Sequence, residues 1–141
     1  MVGFPGEGEA EFEDLLDFVR KQRFERMGAF AYCEEDGTYG AIHYQDDIPE
    51  QEKQRRLDIL MRVQEQISAH INLAKVGQTI EVVVDSIGDE FITCRSQWDS
   101  PEVDPEVLIP RTSITTDIRP GMFVNVKITT SLPYDLIGVP V

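Results

Sequence analysis

The sequence predicts an α+β chain: two helices and a strand in the first half, then a small five-stranded antiparallel barrel of the OB kind. Three observations carry this. Apolar residues recur at helical spacing up to about residue 75. After Gly77 the pattern changes to β-branched runs, and Gly88-Asp89, Pro120-Gly121 and Leu132-Pro133 punctuate them. The composition, 41% hydrophobic and 28% charged over 141 residues, is that of a soluble globular protein.

The first helix is expected over residues 9–24. Phe12, Leu15, Leu16 and Val19 form its apolar stripe, with Phe18 at the margin. Glu9, Glu11, Glu13 and Asp14 open it, and Arg20, Lys21 and Arg23 close it, so both ends complement the helix dipole. Residues 27–32 are an almost wholly apolar run that suits a strand buried on both faces. Residues 34–47 are polar and contain glycine, and read as a loop. A second helix is expected over residues 49–73, with Pro49 in its first turn. Its stripe is Leu57, Leu60, Met61, Ile67 and Ile71, interrupted by Gln64. The charged opening at residues 50–56 reads as a solvated face. The five strands are expected at residues 79–87, 90–98, 106–110, 122–130 and 135–139, and closing them into a barrel removes exposed sheet edges.

The charge excludes some functions. The chain has 13 basic and 26 acidic residues, a net charge of -13. Residues 1–75 hold 16 acids against 9 bases and residues 76–141 hold 10 against 4, so no basic face hides under the total. Such a field repels phosphates and attracts basic partners, and it also serves plain solubility. No apolar run approaches the ~20 residues of a membrane-spanning helix. No secretory signal precedes the first helix, which favours the cytoplasm. Cys33 and Cys94 lie far apart in sequence and read as free thiols. His43, in the expected loop, and His70, on the second helix, read as structural or surface residues, and no metal-ligand spacing exists.

Two motifs stand out. Gly3-Phe4-Pro5-Gly6-Glu7 precedes the first helix. Its glycines let the backbone approach a ligand and its N–H groups can face a nucleotide-like or carboxylate group, although similar loops also serve as ordinary turns. The second motif is the acidic stretch from Trp98 to Glu106, in which Asp99, Glu102, Asp104 and Glu106 crowd together. These carboxylates read as a contact for a basic partner or as a solvated loop. Trp98 reads as an interface anchor or as a cap on the barrel core. Arg95, amid acidic neighbours, suits a structural ion pair, and Tyr134-Asp135 suits closure of the last strand pairing.

The order of the first-half motifs resembles the last part of the catalytic domain in radical-SAM methylthiotransferases. The motifs are Val-Gly-Phe-Pro-Gly-Glu, Phe-x-x-Leu-Leu-x-Phe, an apolar strand ending Phe-Ala-Tyr, an acidic Gly-Thr loop and Ile48-Pro49-Glu50. The second half is similar to a TRAM domain. There the matching stretches are Val76-Gly77-Gln78-Thr79, Asp99-Ser100-Pro101-Glu102-Val103-Asp104 and Tyr134-Asp135-Leu136-Ile137-Gly138. The resemblance implies that residues 1–75 end a TIM-like catalytic barrel and that residues 76–141 are the TRAM domain. It implies a cofactor wall of Gly3, Phe4, Pro5, Gly6 and Tyr32 beside S-adenosylmethionine. The family has a serine where Cys33 stands and a basic residue in the loop that here reads Glu34-Glu35-Asp36.

The Asp-x-Pro-Glu-Val-Asp stretch points to the branch that methylthiolates an aspartate of a small-subunit ribosomal protein (the RimO type). The tRNA-modifying branch is the close competitor, and the shortage of basic residues in the barrel favours the protein substrate. Asp99, Glu102, Asp104, Glu106 and Trp98 are then the expected substrate contacts, and nucleic acid is disfavoured. The family's parent enzymes use S-adenosylmethionine and [4Fe–4S] clusters held by a Cys-x-x-x-Cys-x-x-Cys loop. That loop is absent here, so an excised, inactive piece with neither cofactor bound is expected. Its lone strand at residues 27–32 invites self-association. A non-catalytic acidic interaction module is the alternative of a different class.

Overall fold

The computed structural model describes residues 1–115 and 117–141, which divide into two compact units, Met1–Ile67 and Ser68–Val141. Among the described residues no helix is long and apolar enough to cross a membrane.

The first unit contains α1 (Glu9–Gln22), the short α2 (Tyr39–His43) and the start of α3 (Glu50–Leu73), within which the division falls. Phe12, Leu16 and Val19 of α1 are buried, as the stripe requires, whereas Phe18 is half exposed. The Gly8 N–H donates to Glu11 Oε2 at 2.9 Å and so caps the start. The helix stops two residues before the expected end because Arg23 turns left-handed, with φ 52°, and its N–H closes on Val19 O at 2.9 Å.

Three expectations for this unit need correction. Residues 27–30 form no strand. The apolar run makes one parallel bridge, Val2 to Ala31, in which the Val2 N–H donates to Phe30 O and the Tyr32 N–H to Val2 O. A strand needs a run of successive rungs with a neighbour, and among the described residues only Val2 supplies one. The expected route to self-association therefore lacks its strand. The supposed loop at residues 34–47 holds α2. Its start is capped by Thr38, whose Oγ1 accepts from the Ala41 N–H at 3.3 Å and donates to Glu35 O at 2.8 Å. His43 thus lies on a helix.

The third correction concerns α3. Its opening is not a solvated face, because Lys53 and Arg56 are only 3% and 5% exposed. They continue a buried 3–4 spaced stripe through Leu60, Gln64 and Ile67. Gln64 therefore belongs to that stripe and does not interrupt it, and its amide donates to Phe24 O at 2.8 Å.

The second unit is a closed barrel with strand order β1-β2-β3-β5-β4. The strands are β1 (Thr79–Ile87), β2 (Phe91–Ser96), β3 (Val107–Pro110), β4 (Phe123–Ser131) and β5 (Leu136–Pro140). Alternate residues point inward. Val82 and Val84 from β1, Ile92 and Cys94 from β2, and Val126 and Ile128 from β4 are buried around one core. The barrel is not wholly antiparallel as expected, because β3 and β5 pair in parallel, Val107 with Leu136 and Leu108 with Ile137. A closed ring with an odd number of strands cannot alternate direction throughout, so at least one parallel seam is required. Bulges between Val84 and Ser86 and between Ile128 and Thr130 bend β1 and β4.

Gly138 sits where β5 crosses β4. A Cβ there would lie 2.4 Å from Val126 Cγ1 and 2.7 Å from the Lys127 carbonyl oxygen. Backbone in a closed ring cannot withdraw without opening a seam. Gly138→Ala is therefore expected to destabilise the barrel by about 2 kcal/mol, the typical cost of overpacking, measured as a lower denaturation midpoint in guanidinium.

Candidate functional site

Each unit carries one candidate region. In the first, the residues 3–8 loop turns on Gly3 (φ 74°) and Gly6 (φ 82°), left-handed positions that favour glycine. Gly3 is also fixed by packing, since a Cβ there would lie 2.5 Å from Lys53 Cγ. The loop's N–H groups face the chain's own carboxylates. Gly3 N–H donates to Glu7 Oε1 at 3.0 Å and Gly6 N–H to Asp47 Oδ1 at 3.1 Å.

Arg56 clamps the same loop from α3. Its Nη1 donates to Glu7 O at 2.7 Å and to Glu7 Oε1 at 2.9 Å, and its Nε donates to Glu52 Oε1 at 2.9 Å. Lys53 pairs with Asp46 beside it. Hydrogen bonding to Asp46 holds the Lys53 ammonium above its ordinary pKa, against the opposing effect of burial. Sequence reasoning missed Lys53, Arg56 and Asp47 because charges at a helix start are solvated by default.

Around this clamp the aromatic rings stack edge to face. Phe4 lies 5.1 Å from Tyr32 and 5.7 Å from Tyr44, centre to centre. Tyr32 is buried, and its hydroxyl has no hydrogen-bond partner among the described residues. Burial, with Glu34 and Asp46 nearby, pushes that phenol above its usual pKa. Gly3, Phe4, Gly6 and Tyr32 are thus brought into one region. Of the donors that the loop was expected to offer a ligand, the Gly3 and Gly6 N–H groups are engaged by the chain's own carboxylates.

In the second unit the loop from Gln97 to Glu106 joins β2 to β3. Asp99 folds back on the end of β2, where its Oδ2 accepts from the Ser96 N–H at 3.3 Å and from the Ser96 hydroxyl. Asp104 accepts from the Ser100 N–H at 2.7 Å. These two carboxylates hold the loop's own backbone, whereas the Glu102 and Glu106 side chains are exposed. Glu102 has a left-handed backbone, φ 65°. The Glu106 N–H donates to Asp135 Oδ1 at 2.9 Å, and the Leu136 N–H donates to Glu106 O at 3.0 Å.

The loop overhangs a cleft of about 340 Å³ lined in part by Asp85, Arg95, Glu102, Asp104 and Glu106. Arg95 Nε donates to both oxygens of Asp85, at 2.9 and 3.1 Å, which is the ion pair anticipated for Arg95. Three of the expected contacts therefore share one cleft, while Asp99 and Trp98 line none of it. Trp98 is half exposed and absent from the barrel core. It lines a second groove with Gln78, Glu81 and Gln97. Asp85 and Glu81 were missed although the alternation of β1 puts them on the outer face.

Cys33 is exposed and Cys94 buried, both as free thiols. Burial pushes the Cys94 thiol up to about 12. Among the described residues no group of three or more His, Cys, Asp and Glu side chains could hold a metal ion. A [4Fe–4S] cluster needs several thiolates, and two cysteines in separate units do not fit one. Toward S-adenosylmethionine, the front-loop region presents ring surface and the Tyr32 hydroxyl, which has no hydrogen-bond partner among the described residues. That suits a wall and not a set of polar clamps.

Two outcomes follow. A disulfide-exchange reagent is expected to titrate one thiol rapidly in the folded chain and a second only after unfolding, followed by absorbance. Glu52 is held down to about 2 from 4.5, first by its hydrogen bond from Arg55 and further by Arg56. A depressed carboxyl adds stability above its unfolded pKa, and that stability is lost as the pH falls through the folded value. Glu52→Gln should therefore lower Tm at neutral pH, with the difference from the parent narrowing between about 4.5 and 2, followed by circular dichroism.

The TRAM domain family model matches residues 76–141. Ribosomal protein uS12 methylthiotransferase RimO of Parabacteroides distasonis is 55% identical over 138 residues, covering 98% of this chain and 31% of the relative. The protein of the same name from Porphyromonas gingivalis is 54% identical over 136 residues, covering 96% and 31%. That from Chlorobium phaeobacteroides is 44% identical over 138 residues, covering 98% and 31%. The chain thus spans about a third of the length of these curated relatives. Residues 76–141 thus match the TRAM domain family, and nearly the whole chain matches, at about half identity, a stretch of proteins named ribosomal protein uS12 methylthiotransferase RimO.

Proposed function

We propose that this chain is the C-terminal part of a cytoplasmic radical-SAM methylthiotransferase that modifies an aspartate of ribosomal protein uS12. Residues 1–75 end the catalytic domain, and the TRAM barrel at residues 76–141 holds the substrate protein. The observation that carries this reading is the acidic cleft of the barrel. Asp85, Glu102, Asp104 and Glu106 line it with Arg95 as the one cation among the described lining residues, and Arg95 is already paired with Asp85. A protein that must bind RNA is itself basic, and complementary charge draws it in and orients it.

In this reading Gly3, Phe4, Pro5, Gly6 and Tyr32 form part of the parent's S-adenosylmethionine wall through ring surface and the Tyr32 hydroxyl. The cofactor, with its iron–sulfur clusters, supplies the radical chemistry. The buried Arg56–Glu7 pair keeps the loop in shape. Asp99 and Asp104 shape the recognition loop, and Glu102 and Glu106 meet the substrate.

The test is binding to a basic peptide from uS12, measured by fluorescence anisotropy of the labelled peptide. Affinity should fall steeply as salt rises. The double charge reversal Glu102→Lys with Glu106→Lys should weaken binding by roughly tenfold or more. Firm binding of tRNA at physiological salt, with the peptide ignored, contradicts the reading.

A further inference from the structure

The groove beside Trp98 lies outside the acidic cleft. It has a volume of about 370 Å³ and is lined by Gln78, Thr79, Ile80, Glu81, Gln97 and Trp98. Three features define what it could hold. First, the Trp98 ring already attracts a cation, since Lys75 Nζ lies 5.2 Å from its centre. Indole is the best aromatic face for such contacts. Second, the Glu81 carboxylate is exposed and makes no ion pair among the described residues. Third, the Gln78 amide nitrogen is committed to Ala74 O at 2.8 Å, which leaves its carbonyl oxygen to accept. A flat ring, a carboxylate and an amide acceptor in one groove suit a planar donor with positive charge.

We propose that this groove seats one arginine side chain of a basic protein segment. The guanidinium stacks on Trp98 and donates to Glu81 and Gln78, displacing the Lys75 ammonium. Arginine is favoured over lysine because its guanidinium is planar, more weakly hydrated and able to donate along its edge while its face is covered. The inference rests on the reading that the barrel binds a basic protein, and adds to it a side-chain specificity that the acidic cleft alone does not supply.

Trp98 is the chain's single tryptophan, so fluorescence excited at a wavelength that tryptophan absorbs and tyrosine does not reports on this groove alone. Three peptides are titrated into the 141-residue chain: one basic sequence with a central arginine, the same with lysine, and the same with neutral citrulline. The arginine peptide is expected to change the emission saturably and to bind roughly fivefold more tightly than the lysine peptide. The citrulline peptide should leave the emission unchanged. Trp98→Leu, with charge unchanged, should abolish the arginine advantage in anisotropy of labelled peptides. Trp98→Phe, a gentler variant should leucine disturb folding, should reduce it.

Equal affinity for the arginine and lysine peptides overturns the inference, as does an arginine peptide that binds with both Trp98 variants unaffected. In either case the acidic-barrel reading still stands. If none of the peptides binds, both readings fall.

Discussion

Closure of a five-stranded ring requires a parallel seam, and here the seam between β3 and β5 fixes the end of the acidic loop. At its mouth the Glu106 N–H donates to the Asp135 carboxylate, and the Leu136 N–H donates to Glu106 O. The last loop residue is therefore tied to the same strand that closes the barrel. At the other end, Asp99 binds the Ser96 backbone and hydroxyl at the end of β2. A loop anchored at both ends can carry exposed carboxylates without collapsing or straying. Gly138 belongs to the same constraint, because only a residue without a Cβ lets β5 approach β4 closely enough for the ring to close.

The chain uses its carboxylates in two ways. In the first unit Glu7, Asp46 and Asp47 turn back onto the chain to receive amide N–H groups or the buried cations Lys53 and Arg56. Largely buried pairs of this kind hold a loop in one conformation, and removing either partner leaves a stranded charge. In the second unit most carboxylates are exposed at the surface. The acidity of the whole chain is similar in its two parts by count but not by consequence. In the first unit a share of it is consumed as internal structure. In the barrel much of it remains as an external field.

Local patterns were legible in the sequence. The stripe of α1 and the alternation of β1 are set by neighbours three or two positions away, and both elements form where the patterns fall. The parallel seam was not legible, because it joins strands separated by β4 and follows from ring closure, not from any local run. The burial of Lys53 and Arg56 was hidden for a different reason. A charged helix start is solvated unless a distant carboxylate reaches it, and Glu7 and Asp46 come from other segments. The apolar run at residues 27–32 was read correctly as apolar but not as to its pairing, since one rung with Val2 makes no strand. Of the site residues, Glu102, Asp104 and Glu106 were recoverable from their crowding. Asp85 needed the hairpin register that sets it beside Arg95, and Trp98 needed the barrel to separate it from the core.

The acidic field and the Trp98 groove differ in reach, and that difference bears on selectivity. Charge acts over about 8 Å at physiological ionic strength and treats any polycation alike. It can raise the rate of encounter without choosing a register along the partner. A register requires a contact that only one side-chain shape satisfies at one place. The β2–β3 loop separates these tasks in sequence. Trp98 stands at its start beside Gln97, and Glu102 and Glu106 stand further along. Because the loop is tied down at Ser96 and at the β3–β5 seam, the spacing between the stacking groove and the acidic cleft is set by the barrel. A basic segment that fills both must then match that spacing, which converts a general attraction into a fixed alignment.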